Sequence, residues 1–187
     1  MPRPRSDDKR AALLSAATRV IAAQGLGAAT AIIAKEAGVS NGSLFTYFDT
    51  KADLLNQLYL ELKAEMGAAA TAGPPGDDVR EQMLHLWTGW LCWATDEPDK
   101  RRALAQLGVS DEITPATHRR ASEAMRSAAA LLERTREQGS MHDESPAFVL
   151  TLATALAEAT IDVAIADPEN AEAHGRAGFE ALWRMLA

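Results

Sequence analysis

A chain of 187 residues with one cysteine, Cys92, has no partner for an internal disulfide, and a lone thiol of this kind is most often buried and inert. Aromatic residues are scarce, at 5%, and few stretches alternate Val, Ile or Thr with polar residues, so little supports β-strands. No uninterrupted apolar run approaches the roughly 18–20 residues that cross a bilayer, and no apolar signal region follows the basic N-terminus. These absences predict a cytoplasmic protein with no membrane partner. Enzyme chemistry also finds little support. No glycine-rich phosphate loop is present, and His85, His118, His142 and His174 are scattered without metal-ligand spacing. His85 and Cys92 lie two helical turns apart, too far for one to activate the other. No catalytic residue, metal or cofactor is expected.

What the chain has instead is alanine and helical periodicity. Hydrophobic residues make up 47%, enough to bury a proper core. The net charge of −7 opposes nucleic-acid binding as an average, but its distribution does not. Residues 1–51 carry seven Lys/Arg against four acids, a surplus of +3, while the remainder carries −10. A small basic head that can meet phosphates is joined to an acidic body that they repel.

The spacing predicts an all-α fold of about nine helices. The first spans residues 7–24, with Leu13, Leu14, Ala17, Val20 and Ile21 on one face and Gly25 after it. A very short second helix follows Thr30, which sits where an N-cap belongs, and stops at Gly38. From Lys51 a longer helix carries Leu54, Leu55, Leu58, Leu62 and Met66, then dissolves in the Gly- and Pro-rich stretch Gly67–Gly76. Residues 78–95 place Met83, Trp87, Trp90, Leu91 and Trp93 on a wide apolar arc, so this helix should be mostly buried. Further helices are predicted from Pro98 to about Leu107, from Pro115 to Gln138, from Ala147 to Ala166 and over about 169–186.

Between the second helix and Lys51 lies Ala37-Gly-Val-Ser-Asn-Gly-Ser-Leu-Phe-Thr-Tyr-Phe48, which looks like a loop yet holds four large apolar side chains. A period of four explains them: with Ser40 as N-cap, Leu44 and Phe48 fall one turn apart on one face. Gly38 then makes the sharp bend, and the whole reads as a helix-turn-helix. The segment Thr30–Leu55, above all Ile33-Ala-Lys-Glu-Ala-Gly-Val-Ser-Asn-Gly-Ser-Leu-Phe-Thr-Tyr-Phe48 with Lys51, Leu54 and Leu55, resembles the N-terminal DNA-binding segment of the TetR family of transcriptional regulators. The resemblance implies a three-helix DNA-binding domain, residues 1–51, and a helical ligand-binding and dimerisation domain, residues 52–187, connected by the helix over 51–70. It implies a ligand-responsive regulator, a repressor by family habit, that binds a palindromic operator in double-stranded DNA as a homodimer and is released by a small-molecule effector.

A recognition helix presents its N-terminal residues to base edges, which makes Asn41, Gly42, Ser43, Phe45 and Thr46 the exposed candidates while Leu44 and Phe48 anchor it. Asn41 can offer a donor-acceptor pair to adenine, and Phe45 or Thr46 can touch a thymine methyl. Ser40, Ser43, Tyr47, Lys51 and Thr30 are placed to bond phosphates. The family usually has tyrosine where this chain has Phe45, so a contact there must be apolar; the competing assignment puts Phe45 in the core. Arg3 and Arg5 suit either a minor-groove arm or a weakly contributing tail.

The body offers fewer signals. On 147–166, Phe148, Leu152, Ala155, Ala159, Val163 and Ala166 form one apolar stripe and Leu150, Ile161 and Ile165 another, so two partners are implied. The last helix adds His174, Gly178, Ala181, Leu182 and Met185, whose small members permit close approach. A four-helix dimer interface drawn from both helices is the preferred assignment; burial of both faces within one chain is its competitor. Met83, Trp87, Trp90, Met125 and Phe148 are candidates to line an effector pocket, although tryptophans at this spacing more often form core. Glu158 and Asp162, one turn apart, favour a cationic ligand if they face that pocket, and equally suit solvent or arginines across a dimer. A helical interaction module that binds no DNA is the remaining alternative, and the basic head opposes it.

Overall fold

The computed structural model describes residues 4–73 and 78–187. Among these, ten α-helices and one 3₁₀ turn account for the ordered backbone, with no strand. The scarcity of β-branched alternation is thus matched by an all-helical fold. The described residues fall into two compact units, one running through Ala64 and including Glu97–Ser122, the other comprising Glu65–Asp96 and Glu123–Ala187. The compact units therefore do not divide at residue 51, because a central segment of the chain packs with the head.

In the first unit, α1 (Pro4–Gln24), α2 (Thr30–Glu36) and α3 (Asn41–Leu44) precede the first part of α4 (Lys51–Ala70), and α6 (Pro98–Gly108) and most of α7 (Pro115–Ala124) follow from the central segment. Leu13, Leu14, Ala17 and Ile21 of α1 are buried with Ile33, Leu44, Phe48, Leu54, Leu58, Ala103 and Leu107. Side-chain amides fasten the central segment to the head. Gln106 donates to the Ile21 carbonyl at 3.2 Å, beside the C-terminus of α1. Asn56 on α4 donates to the Glu112 carbonyl at 2.7 Å and accepts from the Thr114 backbone N–H at 3.0 Å. Tyr59 meets His118 edge-on, with ring centroids 5.2 Å apart, and burial raises the Tyr59 pKa above its ordinary value.

The second unit holds the end of α4, then α5 (Val79–Asp96), α8 (Arg126–Gln138), α9 (Pro146–Ala166) and α10 (Ala171–Leu186), with the 3₁₀ turn Pro168–Asn170 between the last two. Ser145 caps α9 by accepting from the Phe148 N–H at 3.3 Å, with Pro146 at the first helical position where its missing donor is harmless. Helix α10 lies close against α9 and α5. A Cβ on Gly178 would fall 2.3 Å from Thr160 Oγ1 and 2.9 Å from Trp87 Cζ2, so only glycine fits there. Arg136, almost fully buried, holds the following loop by donating to the carbonyls of His142 and Glu144 while paired with Glu133 at 2.7 Å. That pairing holds the Glu133 carboxyl below the usual carboxylate range.

Several expectations need correction. The helix placed over 115–138 is broken at Met125, whose φ of −103° and ψ of 9° leave the helical range, so ten helices replace nine. Helix α1 starts at Pro4 rather than 7, and α4 continues through Gly67 to Ala70, since one glycine lowers helix propensity without ending a helix. Thr30 is the first helical residue and Ala29 takes the cap position, without a side-chain bond. Cys92 is exposed rather than buried. Helix α9 contains no uninterrupted apolar run of bilayer-spanning length, yet it is long and apolar enough on average to cross a membrane, Glu158 and Asp162 notwithstanding. Arg3 and the side chain of Arg5, the proposed arm, lie outside what the structure describes.

Candidate nucleic-acid interface

The bend that presents α3 is made by the backbone. Gly38, at φ +70°, takes the left-handed conformation; its N–H bonds the Lys35 carbonyl at 3.1 Å and the Val39 N–H bonds Ala34 at 2.9 Å. This pair of bonds is a Schellman closure, which satisfies the last carbonyls of α2 and turns the chain sharply. Ser40, in extended conformation, then caps α3 by accepting from the Ser43 N–H at 3.1 Å. The regular helix stops at Leu44, shorter than the 41–47 span expected, and tight turns carry the segment on: Thr46 N–H to Ser43 O, Tyr47 N–H to Leu44 O, and Phe48 N–H to Leu44 O. The four-residue period survives the shortening. Leu44 and Phe48 are fully buried on one side, whereas Asn41, Gly42, Phe45 and Thr46 are exposed on the other. Phe45, at 42% exposure, is not core.

The back of this segment is held from two helices. The Arg10 guanidinium sits 5.7 Å from the Phe48 ring centroid and donates to Gln57 Oε1 at 2.5 Å, with Glu61 at 3.8 Å. A cation over an aromatic face that is also paired to α4 fixes where the recognition segment ends. Arg19 joins α1 to α2 through Glu36 at 3.1 Å.

The hydroxyl groups are largely engaged within the segment. Ser40 Oγ and Ser43 Oγ lie 2.9 Å apart, and the Thr46 hydroxyl donates to the Ser43 carbonyl. One hydroxyl hydrogen of the serine pair must remain to donate elsewhere, because each hydroxyl has a single proton. Thr30 and Tyr47, both half-buried, have no hydrogen bond from their side chains among the described residues. Lys51, expected on a phosphate, instead donates to the Leu26 carbonyl at 2.6 Å, which closes the turn after α1 and leaves two ammonium hydrogens.

The body residues are distributed differently from the expectation. Met83 and Trp87 are core, and Trp87 Nε1 donates to the Gly175 carbonyl at 2.9 Å. Trp90, Met125 and Glu158 are half-buried and Phe148 is 47% exposed; none of the six lines either of two concavities in this unit. One, of about 300 Å³, is bounded by Ala129, Leu132, Glu133, Pro146, Ala147, Val149 and Leu150. The other, of about 590 Å³, lies along charged residues from Glu169 to Glu180. Two polar atoms that periodicity alone did not single out stand apart: Trp93 Nε1 and His85 Nε2 are buried with no hydrogen-bond partner among the described residues. Of the dimer candidates, Leu182 is buried and Gly178 is occupied by Thr160 and Trp87 of the same chain. His174 bonds Asp167 at 2.9 Å, and this bond, with a second from Asn170, lowers the Asp167 pKa. Ala181 and Met185 are half-buried, as is Leu152, while Ala159 and Val163 are exposed. Ile161, read as sharing a face with Leu150 and Ile165, is fully buried while those two are exposed.

A capped turn that exposes one face of a short helix while burying the other defines a helix-turn-helix DNA-binding head on a helical body. Residues 13–58 match the pattern of the bacterial regulatory proteins of the TetR family. A structure from Shewanella sp. PV-4 assigned to that family of transcription regulators is 27% identical, with a TM-score of 0.86 over 96% of this chain and 98% of the other. A TetR family transcription regulator from Marinobacter aquaeolei VT8 is 22% identical, with a TM-score of 0.83 over 97% and 96%. The TetR-like regulator LfrR from Mycobacterium smegmatis, solved in complex with proflavine, shares the fold at 21% identity and a TM-score of 0.68, covering 94% of this chain and 95% of LfrR. The chain is thus similar to TetR-family transcriptional regulators, in sequence over residues 13–58 and in fold over nearly its whole length.

Proposed function

We propose that the protein is a homodimeric, ligand-responsive repressor that acts in the cytoplasm on a palindromic operator. The observation that carries this is the exposed face of Asn41, Gly42, Phe45 and Thr46, held from behind by Leu44, Phe48 and Arg10. The Asn41 side chain has no hydrogen bond among the described residues, so its amide is free to bond an adenine edge in the major groove. Thr30, Tyr47, one hydroxyl of the Ser40–Ser43 pair and the remaining hydrogens of Lys51 supply phosphate contacts that set register without reading sequence. DNA contact belongs to residues 1–51 and the remaining functions to 52–187, with α4 linking them.

A single head covers few base pairs, and a dimer with recognition segments about 34 Å apart is the usual remedy. Helix α9 supports it: Phe148, Leu150, Val163 and Ile165 are exposed, at 47%, 50%, 46% and 37%, on a helix whose other face is buried. Large apolar side chains left exposed along both flanks of one helix support an association surface. Ala181 and Met185 of α10 join it, while Leu182 and Gly178 support it from within. Effector release is supported by the LfrR complex with proflavine and by the buried, unpartnered Trp93 Nε1 and His85 Nε2, which a polar ligand can satisfy. Repression rather than activation follows the family's habit. A gel shift with DNA upstream of the neighbouring genes tests the proposal; retention of full affinity when Asn41 and Lys51 are both replaced by alanine would defeat it.

A further inference from the structure

Polar readout from the recognition face is narrower than its composition implies. Of the groups there, the Thr46 hydroxyl has spent its only hydrogen on the Ser43 carbonyl, and Ser43 is tied to Ser40. With its hydroxyl turned back onto the backbone, the exposed Thr46 side chain has its methyl left to offer a partner. Phe45, one residue before it, presents an aromatic edge with no polar atom at all. Gly42 lies one turn earlier on the same face, and nothing in the chain demands a glycine there. Its backbone is not in the left-handed region, and the nearest atom to an added Cβ is Ser40 Oγ at 3.9 Å. Glycine is less favourable than alanine in a helix, and a backbone left bare without internal need fits the close approach of another molecule. The basic surplus of residues 1–51 makes that molecule a polyanion.

We infer that Gly42, Phe45 and Thr46 form an apolar cradle that reads the 5-methyl groups of thymine in the major groove, with Asn41 supplying the one polar base contact beside it. This deepens the repressor reading and rests on it. Each base pair presents a distinct major-groove pattern, and the thymine methyl is its apolar element. The operator half-site should therefore carry at least one thymine opposite this cradle whose methyl group, rather than its O4, contributes affinity.

The test uses the full-length protein and duplexes enriched from a random pool. Each thymine of the enriched duplex is replaced in turn by deoxyuridine, which removes the methyl and leaves the pairing edge intact. At one or more positions per half-site affinity should fall about fourfold, the equivalent of one buried methyl group. The loss should vanish in Phe45→Ala or in Thr46→Ser, which keeps the hydroxyl bond and deletes the methyl, and persist in Thr46→Val. Gly42→Ala should unfold at higher temperature yet bind more weakly. Enriched duplexes indifferent to deoxyuridine at every position would overturn the cradle and leave the regulator standing. Failure to enrich any duplex at low salt would overturn both.

Discussion

In the proposed complex Lys51 has two functions that one substitution can separate. Its ammonium closes the Leu26 turn and retains hydrogens for a phosphate. Lys51→Gln can still donate to Leu26 but carries no charge, so thermal stability should hold while the slope of log affinity against log salt flattens by about one phosphate contact. Lys51→Ala should lose both, with unfolding costing about 1–2 kcal/mol less for the missing charged hydrogen bond. Calorimetry and salt titration of the two variants distinguish these outcomes. Asn41→Ala should leave the salt slope unchanged and relax preference at one base pair by about 1–3 kcal/mol, measured by competition among single-base operator variants. At this scale the sequence was informative where local chemistry decides. Ser40 as a cap, Gly38 at the bend and Leu44 with Phe48 as anchors follow from spacing. The second bonding partner of Lys51 was illegible because Leu26 is 25 positions away, and no periodicity records a turn closed over that distance.

Among the elements, α6 and α7 show how tertiary contact reorganises a linear reading. Their place in the chain assigns them to the body, yet Gln106 ties α6 to α1, and Asn56 ties the segment leading into α7 to α4. Replacing Asn56 by alanine leaves the Glu112 carbonyl and the Thr114 N–H without this partner. Urea unfolding should show a loss of about 1–3 kcal/mol, well above the cost of an exposed asparagine. Helix α9 makes the complementary case. Neither of the two apolar stripes read at 3.6-residue spacing is the covered face: the structure buries Val149, Ala153, Ala157 and Ile161, of which only Ile161 belonged to a stripe. Val163→Glu places a charge on the exposed face, and sedimentation should shift from twice the mass of the chain towards a single chain. A variant that sediments as the native protein does would remove Val163 from the association surface.

For the molecule as a whole, the head was legible to within a turn and the body only as a set of helices. A helix-turn-helix must satisfy local rules of capping, bend and anchor in some 25 residues, and those rules leave a mark in sequence. An effector site needs only a cavity of suitable shape, assembled from distant positions, so the tryptophan arc pointed more to core than to pocket, and Trp87 proved to be core. Effector action is nonetheless measurable: a small molecule that binds the native protein should raise its unfolding temperature and, if it prefers the form that leaves DNA, weaken operator binding by the same linkage. The central claim, sequence-selective DNA binding by a dimer through Asn41–Thr46, is tested most directly by enriching duplexes from a random pool with the full-length protein. The expected product is an inverted repeat whose half-site centres lie about one helical turn apart or slightly more, bound by two chains; enrichment of no sequence over the starting pool, or of a site without repeat symmetry bound by one chain, would contradict it.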